Sequence, residues 1–127
     1  MRRSEADEQK VVASWLNGAG VLWCHVPNGE LRNPRVGAKL KAMGVRRGVP
    51  DILIFNTPPN ELYSSEGYTG VAIELKSVHD KRGPSKAQRE WISELVINGW
   101  AARVCKGADE AIRFLRSLGF RSTVDVE

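Results

Sequence analysis

The sequence predicts a mixed α/β domain in which helices flank a sheet, and three observations predict it. Two short apolar runs, Ile52-Leu53-Ile54-Phe55 and Val71-Ala72-Ile73-Glu74-Leu75-Lys76, have the length and composition of strands. Segments with helical spacing of apolar residues precede, separate and follow them. The resulting order is helix, strand, short helix, two strands, helix, strand, helix, and strands interleaved with helices pack as a layered mixed sheet. The 127 residues suit one domain spanning 1–127, large enough for a core of its own.

The first helix is expected from Glu5 to Asn17, with Ser4 as N-cap and Gly18 as stop. Val11, Val12, Trp15 and Leu16 form its apolar stripe. Glu8, three and four positions before the two valines, falls on that stripe and not on the solvent face with Asp7 and Lys10. A favourable charge in the first helical turn is one explanation of a carboxylate there. A strand is expected over Val21–Val26, with His25 near its end and Pro27-Asn28-Gly29 as a turn. For His25 a DNA contact, a proton shuttle and a plain surface histidine stand open, so it is placed at the edge of a candidate site. A polar loop over 30–35 leads into Asn33-Pro34, an N-cap and first helical residue. The short helix that follows has Val36, Leu40 and Met43 on one face and Gly44 at its end. Arg32, Arg35, Lys39, Lys41, Arg46 and Arg47 make this the densest basic region of the chain, and it runs straight into Asp51. Such residues dock a phosphate backbone, or else form a solvated basic face.

The run from Ile52 to Phe55 reads as buried on both sides. After it, Asn56-Thr57-Pro58-Pro59-Asn60 and polar residues up to Gly70 argue against a continuous strand. A long hairpin connection is expected there, with mobility, contact with DNA and contact with another subunit all open. Past Lys76 a charged, glycine-bearing stretch brings His79, Lys81 and Arg82 close to where a substrate would lie. Ser85 and Gln88 form a capping box that opens a helix. Trp91, Ile92, Leu95 and Val96 give that helix a broad buried face, with Trp91 in the core, and Asn98-Gly99 ends it. Trp100 to Cys105 reads as the last strand. Ala108 to Leu118 reads as a closing helix with Ile112, Leu115 and Leu118 inward and Arg113 and Arg116, with Arg121 beyond, on a solvated face. The tail from Ser122 frays or docks on a partner. Cys24 and Cys105 sit in strand-like runs without zinc spacing, so both are expected as buried free thiols.

Composition sets outer limits. Apolar residues make up 42% and charged residues 27%, which is ordinary for a globular protein. The net charge of +4 permits a polyanionic partner without requiring one. No apolar run approaches the length that crosses a bilayer, and Met1-Arg2-Arg3 leads into acidic residues, not a signal-peptide core. A cytoplasmic location and no membrane partner are therefore expected. No internal repeat is present.

The chemistry lies in the two strands. Alternation puts Glu74 and Lys76 on one face, Ile73 and Leu75 on the other. If the strands pair, Asp51 lies beside Glu74. Two carboxylates that close repel unless a cation intervenes, and hard oxygen ligands suit Mg²⁺, with Mn²⁺ as a substitute. Lys76 would then orient an attacking water or stabilise charge on a phosphate. A lone Glu-x-Lys on a strand is commonly just a solvated charge pair.

Taken together, Gly48-Val49-Pro50-Asp51, Glu74-Leu75-Lys76 and Ser85-Lys86-Ala87-Gln88 resemble the VRR-NUC group of the PD-(D/E)xK nuclease superfamily, over about Glu8 to Cys105. The resemblance implies a restriction-endonuclease-like αβββαβ core, with the short basic helix inserted between the first two strands. It implies a Mg²⁺-dependent DNA endonuclease that leaves a 5′-phosphate, with Asp51 and Glu74 as metal ligands and Lys76 beside the water. Glu8 matches the family's first-helix glutamate and is implied as a further metal-site group, direct or through water; Gln88 is implied in the active-site surroundings. DNA contacts are expected from Arg32, Arg35, Lys39, Arg46, Arg47, Lys81 and Arg82. Similarity to stand-alone, phage-type members implies a homodimer acting on branched DNA such as four-way Holliday junctions in DNA repair, in the host cytoplasm if phage-encoded. Two other classes stand beside this: a non-catalytic nucleic-acid-binding module that keeps the nuclease fold, and a subunit of a repair or replication assembly docking through 58–70.

Overall fold

The computed structural model describes residues 3–27 and 34–125. Among these residues five helices and four strands alternate: α1 (Glu5–Ala19), β1 (Trp23–His25), α2 (Pro34–Ala42), β2 (Ile52–Ile54), α3 (Glu61–Ser65), β3 (Gly70–Lys76), α4 (Lys86–Ile97), β4 (Trp100–Lys106) and α5 (Gly107–Ser117), followed by a 3₁₀ turn at Thr123–Asp125. The strands form one sheet in the order β1-β2-β3-β4. β1 and β2 are antiparallel, as are β2 and β3, while β3 and β4 run parallel through the α4 crossover. This is the mixed sheet flanked by helices that the alternation predicts.

The two faces of the sheet are covered unequally. Ile52, Ile54, Val71, Ile73, Leu75, Ala101 and Cys105 point to one side, where α1 and α5 close over them with Val12, Trp15, Leu16, Ala108, Ala111, Ile112, Leu115 and Leu118. Each fully buried aliphatic side chain there contributes about 2 kcal/mol. On the other side α4 packs on β3 and β4 only. Leu53 is thus only half-buried and Phe55 is 49% exposed, so the β2 run is buried on one side and not on both. Cys24 pairs across from Leu53 on the same uncovered side and is exposed, contrary to expectation, whereas Cys105 is buried. Burial pushes the Cys105 thiol up to about 12, so it stays protonated and inert.

α4 departs most from its amphipathic pattern. Trp91, Ile92 and Leu95 are only partly buried and Val96 is 48% exposed, and among the described residues no helix packs closely on α4 to cover them. α2 departs likewise: Val36 is 42% and Met43 71% exposed. The connection after β2 carries an unexpected helix, α3, and is docked, not free: Pro58 is buried and the Asn60 amide and backbone bond the carbonyls of Ser117 and Leu118. The tail docks on its own chain through residue 125. Ser122 Oγ donates to the Trp15 carbonyl, and Asp125 accepts from Trp15 Nε1 and from Arg116, which is therefore paired. Arg113 and Arg121 are exposed as expected. The turn at Asn28-Gly29, the Asn33 cap and Arg32 lie outside the described residues. Among those described, no helix is long and apolar enough to cross a membrane.

Candidate active site

The β2–β3 register pairs Ile52 with Ile73, which sets Asp51, one residue before β2, opposite Glu74. Pro50 precedes Asp51 and the ladder stops there, so the Asp51 carboxylate takes over as acceptor: Oδ2 receives the Leu75 N–H at 2.8 Å. Gly48 makes the approach to α4 possible. Its φ is +83°, and a Cβ there would stand 2.6 Å from the Ala87 carbonyl carbon. The loop carrying Asp51 is thereby pressed against the first turn of α4.

Glu74 lies 3% exposed between these elements. Its Oε2 accepts from Gln88 Nε2 at 3.2 Å and faces Lys76 Nζ at 3.8 Å. Gln88 also accepts from the Ser85 N–H through Oε1, while Ser85 Oγ accepts from the Gln88 N–H. The capping box and the site contact are thus one arrangement: the cap fixes the amide so that its NH₂ end points at Glu74. Burial, and next the charge of Asp51, push the Glu74 carboxyl up to about 9; Lys76 acts in the opposite direction. The charge of Glu5, in the first turn of α1, adds to the upward shift. Its acidic first-turn position reads in sequence only as a helix-dipole charge, so the sequence did not mark it.

His25 lies beside this cluster, exposed, with Nδ1 2.9 Å from the Asp51 carbonyl, a contact made with Nδ1 protonated. Arg35, Lys39, Arg46, Arg47, Lys81 and Arg82 are all exposed; Arg82 Nε is 3.8 Å from Asp80. Arg46 sits over the Trp91 ring, its guanidinium carbon 5.2 Å from the centroid.

Glu8 has other partners. It is buried, as its place on the apolar stripe predicts, but its Oε2 accepts the Ala108 N–H at 2.6 Å and its Oε1 accepts from Arg3 at 3.3 Å. The N-cap residue of α5, Lys106, makes no side-chain capping bond, so Glu8 caps α5 from a distance. Gly107, with φ +82°, leaves the room: a Cβ there would collide with Glu8 Oε2. Among the described residues no three acidic, histidine or cysteine side chains converge on a point. The structure therefore brings Asp51, Glu74, Lys76 and Gln88 together and gives Glu8 to the α1–α5 contact. Glu8→Ala is expected to leave the Ala108 N–H buried and unpaired, costing about 1–3 kcal/mol. Thermal unfolding followed by circular dichroism checks this. Loss of DNA cleavage with an unchanged melting temperature would instead place Glu8 in the chemistry.

The donor set fits a divalent cation. Asp51 and Glu74 offer hard oxygens from opposite positions of the β2–β3 register, the donor chemistry that a divalent cation takes. The VRR-NUC domain family model matches residues 3–109. A solved structure titled "VRR_NUC domain protein" superposes with a TM-score of 0.68 at 27% identity, covering 94% of this chain and 90% of that one. No curated protein matches.

Proposed function

Because the chain belongs to the VRR-NUC domain family, a nuclease-type family of nucleic-acid-handling domains, we propose that it is a Mg²⁺-dependent DNA endonuclease acting as a homodimer on branched DNA such as four-way junctions. The observation that carries the reading is the convergence of Asp51, Glu74, Lys76 and Gln88 at one end of the sheet, on the side that α4 leaves partly open. Asp51 and Glu74 would hold the cation. When bound, Mg²⁺ or Mn²⁺ supplies polarisation of the scissile phosphate and a water of lowered pKa.

The chain's own groups supply position and charge. Asp51 is anchored by the Leu75 N–H and Glu74 by Gln88, so neither carboxylate must reorganise during the reaction. Lys76, 14% exposed, keeps its ammonium at the site, where it would orient the attacking water or neutralise charge growing on the phosphate. The water oxygen forms the new bond to phosphorus while the bond to the 3′ oxygen breaks, leaving a 5′-phosphate and a 3′-hydroxyl. Lys39, Arg46, Arg47, Lys81 and Arg82 would dock the flanking backbone, a contribution independent of sequence and weakened by salt.

The homodimer is supported by apolar surface away from the triad. Leu22 is 70% and Phe55 49% exposed, and the Phe55 N–H donates to the Leu22 carbonyl. Phe55 meets Trp100 edge to face, and Ile97, just before Trp100 in the chain, is 75% exposed. A second copy related by a two-fold axis would bury this strip and present two sites for paired cuts.

The test is cleavage of end-labelled linear duplex, single strand, flap and four-way junction with Mg²⁺, Mn²⁺ or EDTA. Metal-dependent cutting, strongest on the junction and lost in Asp51→Asn, is the expected result, with light scattering reporting a dimer. DNA binding without cutting of any substrate would leave a nucleic-acid-binding module in its place.

A further inference from the structure

Next to Asp51 and Glu74, on the same side of the sheet, lies a groove of about 900 Å³, and of its lining residues only Arg46 and Arg47 have a role in the reading above. One wall is the end of α2 and the segment that follows it, with Lys41, Val45, Arg46 and Arg47; the other is α4, with Glu90, Trp91 and Glu94. Its volume lies within the about 300–1,000 Å³ of small-ligand sites. Trp91, which the sequence assigns to the core, lines it instead, with the Arg46 guanidinium over its ring at 5.2 Å. That is wider than the close contact of two stacked planes, and Arg46 is exposed and free to swing.

We propose that this groove takes one unpaired nucleobase from the DNA strand next to the scissile phosphate, stacked between Trp91 and Arg46. The inference rests on the nuclease reading for its substrate and names a contact which that reading lacks. Three features single out a base over a phosphate. An indole face and a guanidinium plane are both side-chain surfaces on which bases stack, irrespective of sequence. Glu90 and Glu94, flanking Trp91 on α4, are carboxylates that can accept the N–H donors which every unpaired base offers on its pairing edge and a phosphate lacks. The groove also adjoins the site through the chain itself. Ala87 lines it, and the next residue, Gln88, bonds Glu74; Gly48, packed on Ala87, lies three residues before Asp51. A strand laid across the triad thus has its neighbouring nucleotide at the mouth of the groove. Unpaired bases occur at flaps, gaps and single-stranded ends, and the groove makes such a base a feature that this chain reads.

The experiment measures binding of a short single-stranded DNA and of the same sugar-phosphate backbone carrying abasic residues, both in EDTA so that nothing is cut. Fluorescence anisotropy gives the affinity, and tryptophan quenching reports stacking. The base-bearing strand is expected to bind roughly tenfold more tightly, the advantage of one stacked base. Trp91→Leu should abolish that difference and the associated quenching while binding the abasic strand as the wild type does. Arg46→Lys, which keeps the charge on an exposed side chain and removes the plane, should narrow the difference severalfold even if Trp91→Leu folds poorly. Equal affinity of the two strands, or a difference unaltered in Arg46→Lys, overturns the proposal. Cleavage is scored separately with Mg²⁺. A protein that cuts DNA but shows no base advantage loses only the groove; one that shows the advantage but never cuts loses only the nuclease reading.

Discussion

Glu74→Ala is expected to lower metal-dependent cleavage by about 10³-fold or more while leaving DNA binding in EDTA unchanged. The reason is that Glu74 connects all parts of the site: it faces Lys76, accepts from Gln88 and lies opposite Asp51 in the register. Removing it would take away one of two cation ligands and the partner of both neighbours. A thousandfold loss corresponds to about 4 kcal/mol of transition-state stabilisation, the size found when a single preorganised group is deleted from an enzyme site. Single-turnover cleavage of the best substrate, wild type against variant at equal protein and metal, measures it. Residual cutting within tenfold of wild type would remove Glu74 from the mechanism.

The same substitution site should reveal itself with no substrate present. Without a cation the native Glu74 carboxyl is raised from 4.5 to about 9, chiefly by burial and then by the Asp51 charge. The native protein therefore retains a proton that the unfolded chain has lost above about pH 4.5. Stability from this group is complete below that pH and drains away as pH rises towards 9. Glu74→Gln keeps the shape and the hydrogen-bonding capacity but has no charge to bury, so it should gain about 2 kcal/mol over wild type at pH 8 and nothing near pH 4. Melting curves of the two proteins in EDTA, compared across that range, read the widening gap. Mg²⁺ should raise the melting temperature of the wild type at pH 8, since it binds only the folded state, and should do little for the variant. Parallel melting temperatures at all pH values would mean that Glu74 is not a confined acid.

The sequence carried the site better than its surroundings. Asp51, Glu74 and Lys76 could be placed because strand alternation and the meeting of two runs are local rules, and the observed register brings Asp51 opposite Glu74 as those rules require. The capping box of Ser85 and Gln88 was legible because it is written in four consecutive residues, whereas the place of Gln88 beside Glu74 was implied only by the family resemblance. Glu8 shows where locality stops. Helical spacing foretold its burial, yet its partner is the Ala108 N–H, a hundred residues along the chain, and no pattern within α1 could identify it. Trp91 and Val96 fail differently. An amphipathic pattern states which face is apolar but not whether another layer exists to cover it, and among the described residues no helix packs closely on α4 or over β1 and β2. Cys24 was misplaced by the same missing layer. The docking of 58–60 on the end of α5 and of Ser122 on α1 depends on single polar contacts between distant segments, to which periodicity is blind.

The clasp of the tail on α1 has a consequence for how the protein comes into being. Trp15 is held from above by Ser122 and Asp125, contacts that span 107 and 110 positions of the chain. Contacts so far apart in sequence form late, after nearer pairings have shortened the effective loop between them. During synthesis α1 emerges more than a hundred residues before the segment that seals it. The β3–α4–β4 unit, whose parallel pairing closes over a short crossover, can assemble before that, with Glu74, Lys76 and Gln88 already on it. The residues of the candidate site are thus gathered on a locally closed unit, and the clasp between α1 and the 122–125 segment locks around it last.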